Sequence, residues 1–277
     1  MALFRGYDQA ALDAQYDNRA RVPDHPRHLK RYAEESDAAR RALKGHLDIA
    51  YGPHPRERLD LFPAVPGAPL HVFIHGGYWR ALDKASFSYL APAFVKAGIA
   101  FAAISYPLAP AASMVEIVQS VRRAMAWLHA QADMYGCDPA RLTASGHSAG
   151  GHLVAMAAAA PGTPLRAGVA LSGLYDLEPI RLCFLNPDLR LDAHSAVACA
   201  PLHAVRANMP KLILAVGAAE SEEYHRQQSD YAAALRAAGN GVESHILPGH
   251  DHFTIVGALG ESGSALFGMA KRMAEAA

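Results

Sequence analysis

The five residues Gly146-His147-Ser148-Ala149-Gly150 restrict the fold of this chain more than any other stretch. They lie between a short apolar run, Arg141–Ser145, and an alanine-rich segment, 151–160, that reads as a helix. A serine between a buried strand and a helix, with glycine two residues before and two after, fits a sharp strand–turn–helix elbow. The flanking positions must be small because a Cβ there would meet the neighbouring strand and helix, and the serine backbone itself is strained. The turn lifts a hydroxyl to the carboxyl end of a strand and places it beside the unsatisfied N–H groups of a helix start. The same five residues are also compatible with a plain glycine-rich turn opening a helix. They acquire chemical meaning only if an oxyanion loop precedes them and an acid and a histidine follow, in that order.

The hydrophobic pattern supplies a scaffold for such an elbow. Leu47–Tyr51 and Arg58–Phe62 alternate around a turn at 52–55 and read as an antiparallel pair at a sheet edge. Leu70–Ile74, Ile99–Ile104, Arg141–Ser145, Ala167–Leu171, Lys211–Val216 and Val242–Leu247 read as further strands, apolar for the most part on both faces. Helices are expected over Ser86–Ala97, Ser113–Tyr135, 151–160, Glu222–Ala238 and from Thr254 onward. In the second of these, Val115, Val118, Val121, Met125 and Leu128 are expected to share the buried face. Apolar strands alternating with helices predict an α/β domain with a mainly parallel, eight-stranded sheet covered on both sides. Residues 1–45 read as an N-terminal helical arm that covers the sheet, with shaping the mouth of a pocket as the alternative. Residues 177–209, with four prolines nearby at 179, 187, 201 and 210, read as a short cap-like excursion over the active end of the sheet. Neither is long enough to stand alone, so a single domain over 1–277 is expected.

Composition narrows the partners. Lys plus Arg equals Asp plus Glu at 26 each, so the net charge is zero, which argues against nucleic acid and anionic membrane as main partners. Cys137, Cys183 and Cys199 are odd in number and lack metal-ligand spacing, so they read as reduced thiols of a cytoplasmic protein. The first residues show no leader-like apolar segment, and no stretch is long and apolar enough to span a bilayer. The expectation is a small-molecule substrate and no cofactor, with a homodimer left open.

Each further part of the constellation occurs in its place. His75-Gly76-Gly77-Tyr78-Trp79 follows a buried strand, where paired glycines let backbone N–H groups approach a substrate oxygen. Gly76, Gly77 and the amide of Ala149 are the candidate oxyanion hole. Tyr78, Trp79 and His147 are candidate pocket walls, although Tyr78 and Trp79 could equally pack in the core. After the last strand, 248–253 carries His250 and His252, and His252, directly before Phe253-Thr254, is preferred as the base. A metal site at His250-Asp251-His252 would need further ligands that the sequence does not offer. After the penultimate strand, Glu220 stands closest to the strand end and is preferred as the acid that orients the imidazole, with Asp176 as the fallback. Glu222 and Glu223 read as first-turn residues of the following helix. In this reading Ser148 attacks a carbonyl carbon, His252 takes its proton, and water later releases the acyl-enzyme. The rival reading is a non-catalytic binding protein on the same fold.

His75-Gly-Gly-Tyr-Trp79 together with Gly146-His-Ser-Ala-Gly150 resembles the α/β-hydrolases of the kynurenine formamidase group, which neighbour the hormone-sensitive-lipase-like esterases. The resemblance extends to Tyr16-Asp-Asn-Arg19, Ser172–Leu177, Glu220–Gln227 and Asp251-His-Phe253, and so spans nearly the whole chain. It implies the α/β-hydrolase fold, with Ser148 as nucleophile, Glu220 as acid and His252 as base. Such enzymes often carry aspartate where Glu220 stands. The resemblance further implies hydrolysis of N-formylkynurenine to formate and kynurenine, with general short-chain ester hydrolysis as the alternative. Fold alone does not choose between these.

Overall fold

In the computed structural model, which describes residues 2–276, the strands are His46–Ala50 (β1), Arg58–Phe62 (β2), Ala68–Ile74 (β3), Ala100–Ile104 (β4), Cys137–His147 (β5), Ala167–Leu171 (β6), Lys211–Gly217 (β7) and Val242–Leu247 (β8). They form one eight-stranded sheet in the order β1-β2-β4-β3-β5-β6-β7-β8. Only β2 runs against its neighbours; β4, β3, β5, β6, β7 and β8 pair in parallel. The antiparallel pair sits at the edge where the alternating patterns predict it.

The helices are Gln9–Tyr16 (α1), Asn18–Arg21 (α2), His25–Ala42 (α3), Ala91–Lys96 (α4), Met114–Gln131 (α5), Ala149–Ala158 (α6), Glu178–Leu182 (α7), Asn186–Leu189 (α8), Ala193–Ala198 (α9), Glu222–Ala237 (α10), Thr254–Ala258 (α11) and Ala265–Glu275 (α12). One face of the sheet is buried by α5, α6 and α10 through residues such as Met125, Val154 and Tyr231. The other face is buried by α4 and α12 with part of α3, through Phe94, Phe267 and Tyr32. Strands covered on both sides must be apolar on both, which is why β3 and β6 are buried along their whole length.

The register places the site. Ile74 of β3 pairs with Gly146 of β5, and His147 of β5 pairs with Leu171 of β6. Leu171 in turn pairs with Ala215 of β7, and Gly217 with Leu247 of β8. Loops leaving β3, β5, β6, β7 and β8 therefore emerge at one rim of the sheet.

Three helix expectations need correction. The helix expected over 86–97 is a 3-10 turn, Lys84–Leu90, followed by α4, with Pro92 tolerated in the first helical turn. The long helix α5 opens on a capping box between Ser113 and Glu116 and ends in a 3-10 turn at Gly136, whose φ of 71° is left-handed. Val115, assigned to its buried face, is 42% exposed, and Met114 and Ile117 take its place in the core. The terminal helix is two helices, because the chain turns between α11 and α12 at Gly260–Gly263 before Ser264 caps α12. Among the described residues no helix is long and apolar enough to cross a membrane.

Candidate active site

Ser148 stands between β5 and α6 with φ 57° and ψ −118°, a conformation that L residues adopt only under constraint. The constraint comes from packing. A Cβ at Gly150 would run into the backbone carbonyls of Ile74 and His75, and one at Gly146 into the carbonyl of Gly150. Only glycine lets strand and helix close to this distance. The Ser148 amide donates to the Leu171 carbonyl at 2.8 Å, which ties the turn to β6. Ala149 is the first residue of α6, so its N–H lacks an intrahelical acceptor.

The loop after β3 lies against this turn. A Cβ at Gly76 would approach the His147 carbonyl to 2.8 Å and the Ser148 Cβ to 3.2 Å, and Gly77 has φ 104°. The carbonyls of this loop are engaged away from the serine. That of His75 accepts from the Tyr106 hydroxyl at 2.9 Å, that of Trp79 accepts from the Ala109 amide at 2.9 Å, and that of Gly77 accepts from the Arg80 and Ala81 amides, each at 3.1 Å. Gly77 lines the same cavity as Ser148.

Glu220 and His252 meet. Glu220 Oε2 lies 2.6 Å from His252 Nδ1, and both residues are more than nine-tenths buried. Oε1 of the same carboxylate accepts from the Ser172 hydroxyl at 2.6 Å and from the Gly217 amide at 2.8 Å. A carboxylate held by two donors on one oxygen presents the other to the imidazole in a defined direction. The histidine loop is equally set: Asp251 Oδ1 accepts from the amides of Phe253 and Thr254, each at 2.8 Å. The acid and histidine loops are joined where the Ala219 amide donates to the His250 carbonyl at 3.1 Å. The alternatives weighed from sequence are occupied elsewhere. Asp176 receives Arg226 at 3.2 Å and the Glu178 amide at 3.0 Å, and Glu222 and Glu223 open α10.

Ser148 and His252 line one cavity with Gly77, Tyr78 and His147. Its empty volume is about 820 Å³ with the open mouth included. The rings of His147 and His252 lie 4.7 Å apart. Burial, helped by the neighbouring His252, pushes the His147 imidazole well below its ordinary pKa, so it stays neutral.

Trp79 corrects the pocket expected from sequence. It is fully buried and donates its indole N–H to His152 Nδ1 at 3.1 Å, so it belongs to the core and not to the cavity wall. The arm takes both roles weighed for it, since part of α3 packs on the sheet while other residues of the arm reach the cavity. Tyr16, Asp17, Asn18 and Arg19, with Leu29 and Tyr32 of α3, form one wall of the cavity. The arm is held there by bonds from Tyr16 to Glu223 (2.8 Å) and from the Tyr32 hydroxyl to the Phe253 carbonyl. From the 177–209 excursion, Phe184 reaches the cavity, and Asp188 pairs with Arg80. Sequence reasoning gave no role to Ser172, Asn18 or Tyr224. Of these, Ser172 carried the clearest cue: it directly follows the apolar run of β6, where a parallel strand delivers its exit to the rim.

The profile of the prolyl oligopeptidase family matches residues 118–263, more than half of the chain, and that of the BD-FAE family matches residues 62–166. The chain is 29% identical over 247 residues to a kynurenine formamidase of Danio rerio, covering 83% of this chain and 82% of that protein. It is 29% identical over 262 residues to esterase LipQ of Mycobacterium tuberculosis, covering 83% of this chain and 60% of that one. A crystal structure of a candidate thioesterase from Silicibacter sp. superposes with a TM-score of 0.82 at 31% identity, covering 93% of this chain and 97% of the other.

Proposed function

The chain belongs to the prolyl oligopeptidase family of α/β-hydrolases and is a serine hydrolase of the arylformamidase or carboxylesterase type; from that premise we propose that it cleaves a small-acyl aryl amide, foremost N-formylkynurenine, through an acyl-enzyme on Ser148. The observation that carries the residue roles is the 2.6 Å bond from Glu220 to His252 Nδ1 at the edge of the cavity that also holds Ser148. An acceptor at Nδ1 keeps the hydrogen there, which leaves Nε2 free to take the serine proton.

The steps follow from that tautomer. Ser148 Oγ attacks the acyl carbon while His252 Nε2 takes its proton. The oxyanion receives hydrogen bonds from the amides of Ala149 and the 76–77 turn, fixed in place before the charge develops. His252 returns the proton to the leaving nitrogen or oxygen, and the amine or alcohol departs. Water then attacks the acyl-enzyme with His252 again as base. Aromatic side chains surround the space that the leaving group would fill: Tyr16, Tyr32, Tyr78, Phe87, Phe184 and Phe253. An aryl leaving group suits such walls, and a formyl group requires almost no acyl pocket. The likeness to the zebrafish formamidase supports the same substrate.

Short-chain ester hydrolysis is the second reading, favoured by the likeness to esterase LipQ. The buried free thiols of Cys137, Cys183 and Cys199 and the zero net charge agree with a cytoplasmic enzyme acting on a small molecule. Turnover of N-formylkynurenine should be compared with that of p-nitrophenyl esters of rising chain length, with Ser148→Ala as control. Loss of all turnover in Ser148→Ala and a preference for formyl or acetyl over longer chains are expected. Activity surviving in Ser148→Ala would overturn the nucleophile. A preference for longer acyl chains would favour the general esterase.

A further inference from the structure

Beside the serine lies a buried group of polar side chains that the triad does not use. Tyr224 is 1% exposed, and its ring packs on that of His252 with centroids 4.9 Å apart. Its hydroxyl accepts from Asn18 Nδ2 at 2.8 Å and meets the Tyr78 hydroxyl at 2.8 Å, Tyr78 lines the cavity that holds Ser148 and His252, and the Ser148 hydroxyl is a near neighbour. Asn18 donates its second amide hydrogen to Tyr78 at 3.0 Å. Tyr78 donates its only hydroxyl hydrogen to the Tyr16 carbonyl at 2.7 Å. A carbonyl can only accept, so that hydrogen is not free for Tyr224. In the contact between the two phenols, Tyr224 must therefore be the donor. With both Asn18 hydrogens and the Tyr78 hydrogen engaged, Tyr224 holds the one hydrogen of this group with a choice of acceptor: the Tyr78 oxygen or Ser148 Oγ.

We infer that Tyr224 is a further catalytic residue, whose hydroxyl turns from Tyr78 to donate to Ser148 Oγ when that oxygen carries charge, and that Asn18 and Tyr78 are the positioning residues that hold it ready. The inference rests on Ser148 being the nucleophile. Oγ is charged twice in the cycle: as it loses its proton to attack, and as it leaves the acyl carbon during deacylation. In both, the Oγ proton travels to or from His252, and Tyr224 keeps its own proton, changing only its acceptor. A hydrogen bond to a charged oxygen is stronger than one to a neutral phenol, so the exchange favours the transition state over the resting enzyme. Burial holds the Tyr224 phenol above its ordinary pKa and keeps it a donor. Because Asn18 sits at the start of α2, the arm would then contribute to the chemistry as well as to the wall of the cavity.

The test is a double-mutant cycle on Tyr224→Phe and Asn18→Ala, with rates expressed per serine titrated by a fluorophosphonate. Tyr224→Phe is expected to lower kcat and kcat/KM together by about 100-fold, in line with loss of one donor to a developing charge. Asn18→Ala alone is expected to lower kcat severalfold, and to add nothing in the Tyr224→Phe background, because it acts through that hydroxyl. A merely structural Asn18 would cost the same in both backgrounds and would overturn the proposal, as would a kcat for Tyr224→Phe within twofold of the parent. Should Tyr224→Phe fail to fold, Asn18→Ala decides alone: unchanged kcat there overturns the proposal. Loss of activity in Ser148→Ala beside full activity in Tyr224→Phe would refute only this inference and leave the nucleophile standing.

Discussion

One methylene separates Glu220 from the aspartate often found at its position in formamidase-like chains, and the structure shows how the added length is accommodated. Oε1 is anchored by the Ser172 hydroxyl and the Gly217 amide, and Oε2 alone faces His252 Nδ1. Glu220→Gln would replace an acceptor-only group by an amide. Whichever way the amide turns, either its NH₂ opposes the Nδ1 hydrogen or it opposes the Gly217 N–H. The first outcome forces the hydrogen onto Nε2, where the histidine can no longer take the serine proton. A fall in kcat of about 10³- to 10⁴-fold is expected, with the thermal midpoint nearly unchanged. Steady-state kinetics on p-nitrophenyl acetate checks this, and a fall of less than tenfold would mean that another group orients the imidazole. Asp176 is poorly placed for that task, since Arg226 and the Glu178 amide already hold it.

Among the elements, those with a strong hydrophobic period were legible in the sequence and those defined by distant contacts were not. β2, β6 and β8 occupy the ranges expected from the apolar runs, and the order of loop, serine, acid and histidine follows from reading the strands in sequence. Glu220 and His252 could be chosen because each stands in the loop leaving its strand, and parallel strands deliver such loops to one rim. The pattern placed a helical arm at 1–45 but left its role open, because Tyr16, Asp17, Asn18 and Arg19 of the wall are polar or aromatic and lie outside the amphipathic repeat of α3. What binds the arm is a partner 200 residues away: Tyr16 donates to Glu223, which is 2% exposed and is held by Arg226, itself bonded to Asp176 and Asp230. Trp79 was ambiguous for a related reason, since only the Trp79–His152 contact shows which way the indole turns. The Arg226 node yields a prediction at this scale. Arg226→Met keeps the bulk of the side chain but leaves the Glu223 carboxylate buried without its cation. A loss of about 3 kcal/mol in unfolding free energy is expected, along with earlier proteolytic cleavage between α2 and α3. Urea denaturation and limited trypsinolysis measure both. Stability within about 1 kcal/mol of the parent, with the arm equally resistant, would show that the ion network does not hold the arm.

Over the whole molecule, the histidines bear on stability as well as on chemistry. The protein has 15, and three outside the proposed triad are fully buried in its core: His71, His75 and His152. Each is held neutral chiefly by its burial. His152 Nδ1 accepts from the Trp79 indole while Nε2 faces the Cys199 carbonyl at 2.7 Å, so a second proton would set two donors against each other. His75 gives Nδ1–H to the Gly76 carbonyl at 2.7 Å, and its Nε2 is buried without a partner for an added hydrogen. His71 sits between the Thr143 and Ser145 hydroxyls and stacks on Phe94 at 4.5 Å. Burial lowers His71 from 6.5 to about 3, and His75 and His152 from 6.5 to about 4. In the unfolded chain these rings regain ordinary values, so between about pH 6.5 and pH 4 the unfolded state binds more protons than the folded one. The stability they confer is complete above about pH 6.5 and falls as the pH drops toward 4. A shift from 6.5 to about 4 corresponds to roughly 3 kcal/mol for each of His75 and His152 at the acid end of that window. Against a total of about 5–15 kcal/mol for a typical domain, that loss is decisive. Urea midpoints should therefore be flat from pH 8 to 7 and fall steeply below pH 6, and His152→Gln should flatten the lower part of the curve. A midpoint unchanged between pH 7 and pH 5 would mean that these rings take up protons without loss of the fold.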